Sequence, residues 1–500
     1  MSPSNWLVSV PTNAYKEGYN MKFETNWKPD RQSGIPLYRQ IAEYMRDKII
    51  GGEWPPGSRI PTERSIAQAF EVNRSTVVQA FAELTAEGMI EGKSGSGTLV
   101  THAIENRDIP KLPDWESYVK TGTHKPNHRT IQDINHAEFL PNIIRLGTGE
   151  PSPDLFPQTL GPILQELPAQ MKHFGYTEPR GLYELREQIS RHMGRYGVKV
   201  SPDSVLIVSG GLQALQLIAL GLLKNGSTVL AESPSYLQSL QVFQSAGMSL
   251  TALPMDADGV DMATLEQYAR SGRGTFLYTI PSFHNPTGIV MSEQRRQEIY
   301  KLGMQYKLPI IEDDAYRDLW LDEPSPPPIK ALDQNGLVLY IGSMSKSLSP
   351  GLRIGWVIGP EQVIHRLADV KMQSDYGAST LSQWTVMHFL KQGLYEEHLV
   401  SLRKELKIRR AYMLQLLEHH LRAKATWHIP TGGFYIWLRL NGDQAIPSLF
   451  EAALKEGVLL NPGYLYDKTD QNHLRLSYSY ASLEQMEKGI CLLAELIQVD

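Results

Sequence analysis

The side chains best able to do chemistry fall into two groups far apart in the chain. One centres on Lys346, in Ser343-Met344-Ser345-Lys346, which follows an apolar run at 337–341. That tetrad offers two hydroxyls and an amine, and Arg353, seven residues on, can close a charge-assisted pair on a phosphate dianion. Ser209-Gly210-Gly211-Leu212-Gln213 also follows an apolar run and opens a helical pattern. Backbone N–H groups at such a turn, with the positive end of a helix behind them, form a phosphate site. A lysine in this setting is either an ordinary solvated cation or an amine placed to form a Schiff base with an aldehyde. The phosphate cradle beside it favours the second.

Pyridoxal 5′-phosphate (PLP) is such an aldehyde, and it also needs a carboxylate facing its ring nitrogen to keep the ring an electron sink. The run Ile310-Ile311-Glu312-Asp313-Asp314-Ala315-Tyr316 supplies one in Asp313, with Tyr316 three residues on to reach the phenolic oxygen. Acidic clusters also face solvent or hold metals, so this run taken alone is ambiguous; no metal site is expected. Asn285, in His284-Asn285-Pro286-Thr287-Gly288, is a second candidate for that oxygen, although Asn-Pro and Thr-Gly are both turn formers. Tyr236, in Glu232-Ser233-Pro234-Ser235-Tyr236, can stack on a pyridine face or simply fill a core.

The other group lies near the N-terminus. Asn73, Arg74, Ser75 and Thr76 open a helical pattern, the place from which a helix laid in a DNA major groove reads base edges. Arg64, at the start of the preceding helix, can reach a phosphate or a guanine edge. Lys93, Ser94, Ser96 and Thr98, in a Gly-rich hairpin, suit phosphate or minor-groove contact. Charge argues the other way. Residues 31–101 hold eight Lys+Arg and eight Asp+Glu, short of the usual basic footprint, so a merely solvated polar face remains an alternative.

The elements that must position these groups divide unevenly. Residues 1–34 carry no periodic apolar face and read as an extension. In 35–101, Leu37, Ile41, Tyr44, Met45 and Ile49 mark one helix and Ile66, Ala69 and Phe70 a second, capped by Thr62. Val77, Ala80, Phe81 and Leu84 mark a third, capped by Asn73 or Ser75 and stopped at Gly88, and 89–100 reads as a hairpin. Three helices and a hairpin are the winged helix-turn-helix plan. Residues 102–140 read as a polar linker with one short helix near 115–119. From 141 to 500, short apolar runs such as 205–208, 228–231, 276–279, 308–311 and 337–341 alternate with helical patterns. That alternation predicts an α/β domain with a largely parallel sheet and ligands at strand C-termini.

Bulk composition sets outer bounds. With 500 residues, 41 % apolar and 21 % charged, the chain is of ordinary globular composition and long enough for two to four domains. The formal net charge of −5 advertises neither nucleic acid nor an anionic membrane. A single cysteine, Cys491, fits a reducing compartment. The most apolar stretch, 205–223, is interrupted by Ser209, Gly210, Gly211, Gln213 and Gln216, and no secretory pattern opens the chain, so a cytoplasmic protein is expected.

Two resemblances sharpen this reading. The run from Pro36 to Val100 resembles the GntR-family winged helix almost throughout, including Pro-Gly-Ser-Arg-Ile-Pro-Thr-Glu-Arg, Asn-Arg-Ser-Thr-Val and Gly-Ser-Gly-Thr. That resemblance implies DNA contact by Arg64, Arg74 and the wing. SGGLQALQ, ESPSY, HNPTG, EDDAY, SMSKSLSPGLRIGW and HLRLSYS occur in the order seen in fold-type-I PLP-dependent aminotransferases. The resemblance implies a Schiff base at Lys346, a pyridinium partner in Asp313, and Asn285 and Tyr316 on the phenolic oxygen. It further implies stacking by Tyr236 and phosphate contacts from Gly211, Leu212, Ser343, Ser345 and Arg353. Arg475 would clamp a carboxylate, and Tyr176 would reach the phosphate of a neighbouring subunit.

A GntR module followed by an aminotransferase-like domain is similar to the MocR family of bacterial transcription regulators. The implied protein is a head-to-tail homodimer that binds double-stranded operator DNA. Its effector would be PLP or an amino compound joined to it. The alternative is an active aminotransferase with an accessory DNA-binding module.

Overall fold

The computed structural model describes residues 27–93, 97–101, 115–122, 124, 126–171 and 175–497. The chain separates into two units, Met1–Gly122 and Thr123–Asp500.

In the first unit the expected three helices and hairpin are present. Helix Leu37–Ile50 buries Ile41, Ala42, Met45 and Ile49, one face at three- and four-residue spacing. Helix Glu63–Ala69 starts at Thr62, whose side chain accepts from the Ser65 N–H at 3.3 Å. Helix Arg74–Ala86 turns Val77, Ala80, Phe81 and Leu84 into the same core, and Gly88, at φ 71°, follows its end in a conformation that strains other residues. Strands Ile90–Lys93 and Gly97–Val100 pair antiparallel, with Ile90 opposite Val100. Ser94 and Ser96 of the hairpin tip lie outside the described residues.

Two expectations change here. Asn73 occupies the N-cap position of the third helix, but neither it nor Ser75 supplies a side-chain capping bond. The end of the expected extension is also built into the module. Trp27 stacks on Tyr44 at 4.2 Å and meets Phe70 edge-on at 5.1 Å, while Arg31 donates to the Glu71 carbonyl at 2.6 Å. One aromatic and one arginine show no periodicity, so pattern reading passes over them.

The second unit is organised by an eight-stranded sheet. Its spatial order is Val205–Val208, Gly355–Ile358, Val338–Ser343, Ile310–Asp313, Phe276–Thr279, Thr228–Ser233, Ser249–Asp256 and Gly259–Val260. Gly355–Ile358 runs antiparallel to both neighbours and Gly259–Val260 antiparallel to its one; the remaining pairings are parallel. Helices cover both faces, which explains why the central strands are continuous apolar runs instead of alternating ones. Several strands extend past the sequence expectation. Ile310–Asp313 and Val338–Ser343 carry Asp313 and Ser343 as their last residues, at the carboxyl edge where a ligand sits in such sheets. A separate antiparallel sheet of Ala425–Trp427, Tyr435–Leu440 and His473–Ser477 places Arg475 opposite Trp437.

The expected linker is too long. Helix Trp115–Thr121 matches the short helix predicted there, but a second helix, Arg129–Ala137, buries Thr130, Ile134 and Ala137 and joins the core of the large unit. Its narrow apolar stripe is diluted by histidine, glutamine and asparagine, so composition alone reads it as solvated.

Candidate functional site

A cavity of about 490 Å³ opens at the carboxyl edge of the large sheet. Its walls bring together all the cofactor and carboxylate residues expected from the sequence except Tyr176: Gly211, Leu212, Tyr236, Asn285, Asp313, Tyr316, Ser343, Ser345, Lys346, Arg353 and Arg475. Segments far apart in the chain converge there because each lies on, or just beyond, a strand of one sheet or of the small sheet beside it.

One end suits a phosphate. Gly210 sits at φ 98°, a conformation that strains any other residue, and a Cβ on it would lie 2.7 Å from a terminal nitrogen of Arg353 and displace that guanidinium. Helix Gly211–Leu222 begins at the next residue and points its free N–H groups into the cavity end. Arg353, itself in the left-handed region, donates to the Ser209 carbonyl. The Ser343 hydroxyl accepts from the Ser345 N–H at 3.1 Å, while the Ser345 hydroxyl is buried with no protein partner. An orphaned hydroxyl, open backbone donors and an arginine fit a phosphate dianion.

The floor suits a cationic ring. Asp313 is buried and accepts from the Tyr278 hydroxyl at 2.8 Å. Burial pushes its carboxyl up to about 6, despite the Tyr278 bond and nearby Lys346, which favour the anion. A protonated ring nitrogen at this carboxylate would hold it ionised. Burial first, then Asp313, raises the half-buried Tyr236 phenol to about 12, so it stays neutral as a ring against the floor. The Lys346 amine donates to the Gly149 carbonyl at 2.7 Å, and the Tyr316 and Tyr435 hydroxyls share a hydrogen bond of 2.7 Å.

The far wall suits a carboxylate. Arg475 is buried, with one terminal nitrogen on the Asn285 side-chain oxygen at 2.8 Å and the other on the Gly147 carbonyl at 2.6 Å. Its guanidinium carbon lies 4.2 Å over the Tyr435 ring and 5.0 Å over that of Tyr466, and its Nε is buried without a partner. Among the described residues no carboxylate pairs with it. Asn285 therefore orients Arg475, a contact that sequence reading did not assign to it.

Sequence reading missed Tyr278, Tyr435, Tyr466 and the Gly147-Thr148-Gly149-Glu150 turn. Tyr278 and Tyr435 lie inside ordinary apolar runs and Tyr466 at the end of a short turn, and none carries a local signal. The closely spaced glycines before Glu150-Pro151 were the available hint of a close backbone approach.

Tyr176 is absent from the cavity wall. It is 77 % exposed and touches Tyr376 edge-on at 4.9 Å.

On the small unit, Arg64, Asn73, Arg74, Ser75 and Lys93 are exposed and Thr76 half-buried; Ser96 lies outside the described residues. Arg74 is 71 % exposed along its side chain and pairs with Glu63 at 2.8 Å, while the Asn73 side chain is left uncommitted to a cap.

Comparison with known proteins decides the family. Residues 37–100 match the bacterial regulatory protein gntR family and residues 141–491 the aminotransferase class I and II family. The chain belongs to the MocR family. This MocR chain is 52 % identical, over 94 % of its length and 98 % of the relative's, to YisV of Bacillus subtilis strain 168, named an uncharacterized HTH-type transcriptional regulator. It is 34 % identical to the HTH-type transcriptional regulator NorG of Staphylococcus aureus strain N315, over 86 % of this chain and 98 % of NorG. The large unit resembles LysN, an α-aminoadipate aminotransferase from Thermus thermophilus solved with N-(5′-phosphopyridoxyl)-L-leucine. That likeness has a TM-score of 0.70 and 30 % identity, over 77 % of this chain and 98 % of LysN. The MocR chain is thus a transcription regulator that joins a DNA-binding winged helix to a PLP-binding aminotransferase fold. No helix among its described residues is long and apolar enough to cross a membrane.

Proposed function

We propose that this regulator senses an amino compound in the Lys346 cavity and passes the result to operator DNA. The observation that carries the reading is the pairing, within one cavity, of the Lys346 amine with a buried Arg475 whose Nε has no partner. When bound, PLP supplies an aldehyde that condenses reversibly with primary amines. The protein's own part is to bind and orient. Lys346 holds the cofactor, and Gly211, Leu212, Ser343, Ser345 and Arg353 hold its phosphate. Asp313 keeps the ring nitrogen protonated, Tyr236 covers the ring, and Asn285 and Tyr316 face the phenolic oxygen. Arg475 takes a carboxylate through a bidentate pair.

On the small unit, Arg64, Asn73, Arg74, Ser75 and Thr76 would read the major groove, with Lys93 and Ser96 on phosphates. The exposed Tyr176 supports a head-to-tail homodimer in which it reaches the partner subunit's phosphate. The domain plan we adopt is an extension at 1–34, a winged helix at 35–101, a linker and a sensor ending at 500, in a cytoplasmic protein. The helix Arg129–Ala137 moves the start of the sensor forward from 141.

Linkage supplies the test: an effector that changes operator affinity must have its own affinity changed by operator to the same factor. Titrating the PLP-loaded chain with amino acids, with and without operator, should give two different half-saturation points. Coincident titrations for every responsive compound would refute sensing by coupling.

A second reading has specific support, since the intact set Lys346, Asp313, Tyr316 and Arg475 is also what a working aminotransferase needs. Sustained keto-acid production from amino acid and oxo-acid mixtures would establish it, whereas a single stoichiometric spectral change favours the regulator.

A further inference from the structure

Residues 27–31 lie as a strap on the DNA-binding unit, and their contacts converge on one turn. Trp27 is half-buried and Pro29 buried, while Lys28, Asp30 and Arg31 are exposed. The strap is pinned first to helix Leu37–Ile50. The Asp30 N–H donates to the Gln40 side-chain oxygen at 2.8 Å, and the Gln40 amide donates back to the Asp30 carbonyl at 3.0 Å. Trp27 stacks on Tyr44 of the same helix. Further contacts fall on Phe70 and Glu71, in the turn that joins helix Glu63–Ala69 to helix Arg74–Ala86. Trp27 meets the buried Phe70 ring edge-on at 5.1 Å. The Arg31 guanidinium donates to the Glu71 carbonyl at 2.6 Å, and the Lys28 ammonium pairs with the Glu71 carboxylate.

Glu71 is the residue in that turn that needs support. Its φ is 55°, in the left-handed region that favours glycine, so a glutamate there is strained. The turn closes around it, with the Val72 N–H donating to the Ala67 carbonyl at 3.0 Å, and the next helix begins at Arg74. Relaxation of Glu71 to a negative φ would swing the whole of helix Arg74–Ala86 about this point. Strained residues persist where their surroundings over-determine them, and here the strap does so. Magnitudes rank its contacts. The Lys28 and Glu71 side chains are 53 % and 68 % exposed, so their ion pair adds little. The Trp27 ring contact and the Arg31 bond to a carbonyl carry the hold.

We propose that Trp27 and Arg31 are positioning residues for DNA recognition: they hold Glu71 in its left-handed conformation and thereby aim helix Arg74–Ala86. The inference rests on the reading that this helix reads base edges. Base readout depends on the aim of the helix, whereas phosphate contacts carry no sequence information and tolerate a small rotation. Losing the strap lowers the fraction of molecules with a correctly aimed helix, so it should weaken sequence-specific binding more than general DNA binding.

The test uses the PLP-loaded full chain and two probes: a short duplex that the wild-type chain enriches from a random-sequence pool, and the unselected pool itself. In the Trp27→Ala, Arg31→Ala double variant the selected duplex should bind about tenfold more weakly, the scale of one lost charge-assisted bond. The unselected pool should weaken by no more than about twofold. Adding Glu71→Gly, which adopts this φ without strain, should return the selected duplex to within about threefold of wild type. A loss of packing alone would not be rescued in that way. Unchanged binding of the selected duplex, equal losses on both probes, or a loss that persists with Glu71→Gly overturns the role of the strap and leaves base reading by the helix standing. A pool that yields no preferred duplex overturns base reading and the strap together. Arg31→Ala alone removes only an exposed side chain and guards against poor folding of the double variant. It should show about a threefold loss on the selected duplex, again rescued by Glu71→Gly; no selective loss there also overturns the proposal.

Discussion

The two functional regions use arginine in opposite ways. In the small unit Arg74 is 71 % exposed and pairs with Glu63 at 2.8 Å. In the large unit Arg475 is 5 % exposed, locked by Asn285 and Gly147 and framed by two tyrosine rings. An exposed guanidinium is screened by water and salt, costs little to hold and adapts to a partner surface. A buried one is preorganised and aimed, so its loss leaves other buried groups unsatisfied. The contrast suits the two ligands: a long polyanion touched at many points, and a small molecule that must be told from its relatives at one point.

Four measurements probe that contrast. The largest effect is expected from Lys346→Ala, which should abolish the visible absorption band of the cofactor-loaded protein. A retained band would show that the amine at Gly149 does not hold the cofactor. Next, Arg475→Ala should weaken binding of carboxylate-bearing amino compounds by about 100-fold, in line with loss of a buried charge-assisted pair. Isothermal titration would reveal this, and a loss below threefold would make Arg475 a packing residue.

Arg74→Ala should weaken operator binding about tenfold at low salt, an effect that fades as ionic strength rises. Glu63→Gln, which frees Arg74 from its exposed partner, should change affinity by no more than about threefold. If Glu63→Gln has the larger effect, the Arg74–Glu63 pair is a structural lock and the contrast with Arg475 collapses.

The smallest loss of ligand binding concerns pH. The Asp313 carboxyl lies at about 6 in the cofactor-free protein, above its ordinary value. A raised carboxyl contributes stability that is present below about pH 4 and lost as pH rises through 6. Cofactor binding runs the other way, because a protonated ring nitrogen needs the anion. Apparent PLP affinity should therefore be about fourfold weaker at pH 5.5 than at pH 7.5. Asp313→Asn should remove this component of the pH profile; an unchanged profile would place the titration elsewhere.

Much of this was open to inspection in the residue order. The helix faces of Leu37–Ile50 and Arg74–Ala86, the strand-turn-helix at Gly210 and the lysine after Ser345 are local patterns, set by periodicity, turn chemistry and spacing. Local pattern is weakest at edges and in diluted segments. Ser343 proved to be the last residue of its strand, not a residue beyond it, and Arg129–Ala137 proved to be a helix in what composition marks as linker.

Residue order alone set which side-chain types were available at each end of the site, because phosphate, ring nitrogen, amine and carboxylate each demand a particular side chain near a particular turn. Which of those side chains meet was settled by three-dimensional packing. Tyr278 on Asp313, Tyr435 on Tyr316 and Asn285 on Arg475 all join segments separated in the chain. Such pairings come from strand order and from sheet-to-helix packing, which no local spacing encodes. Charge shows the same division. The residues give a near-neutral balance, but folding is what sets a carboxylate in one wall of a cavity and a guanidinium in another.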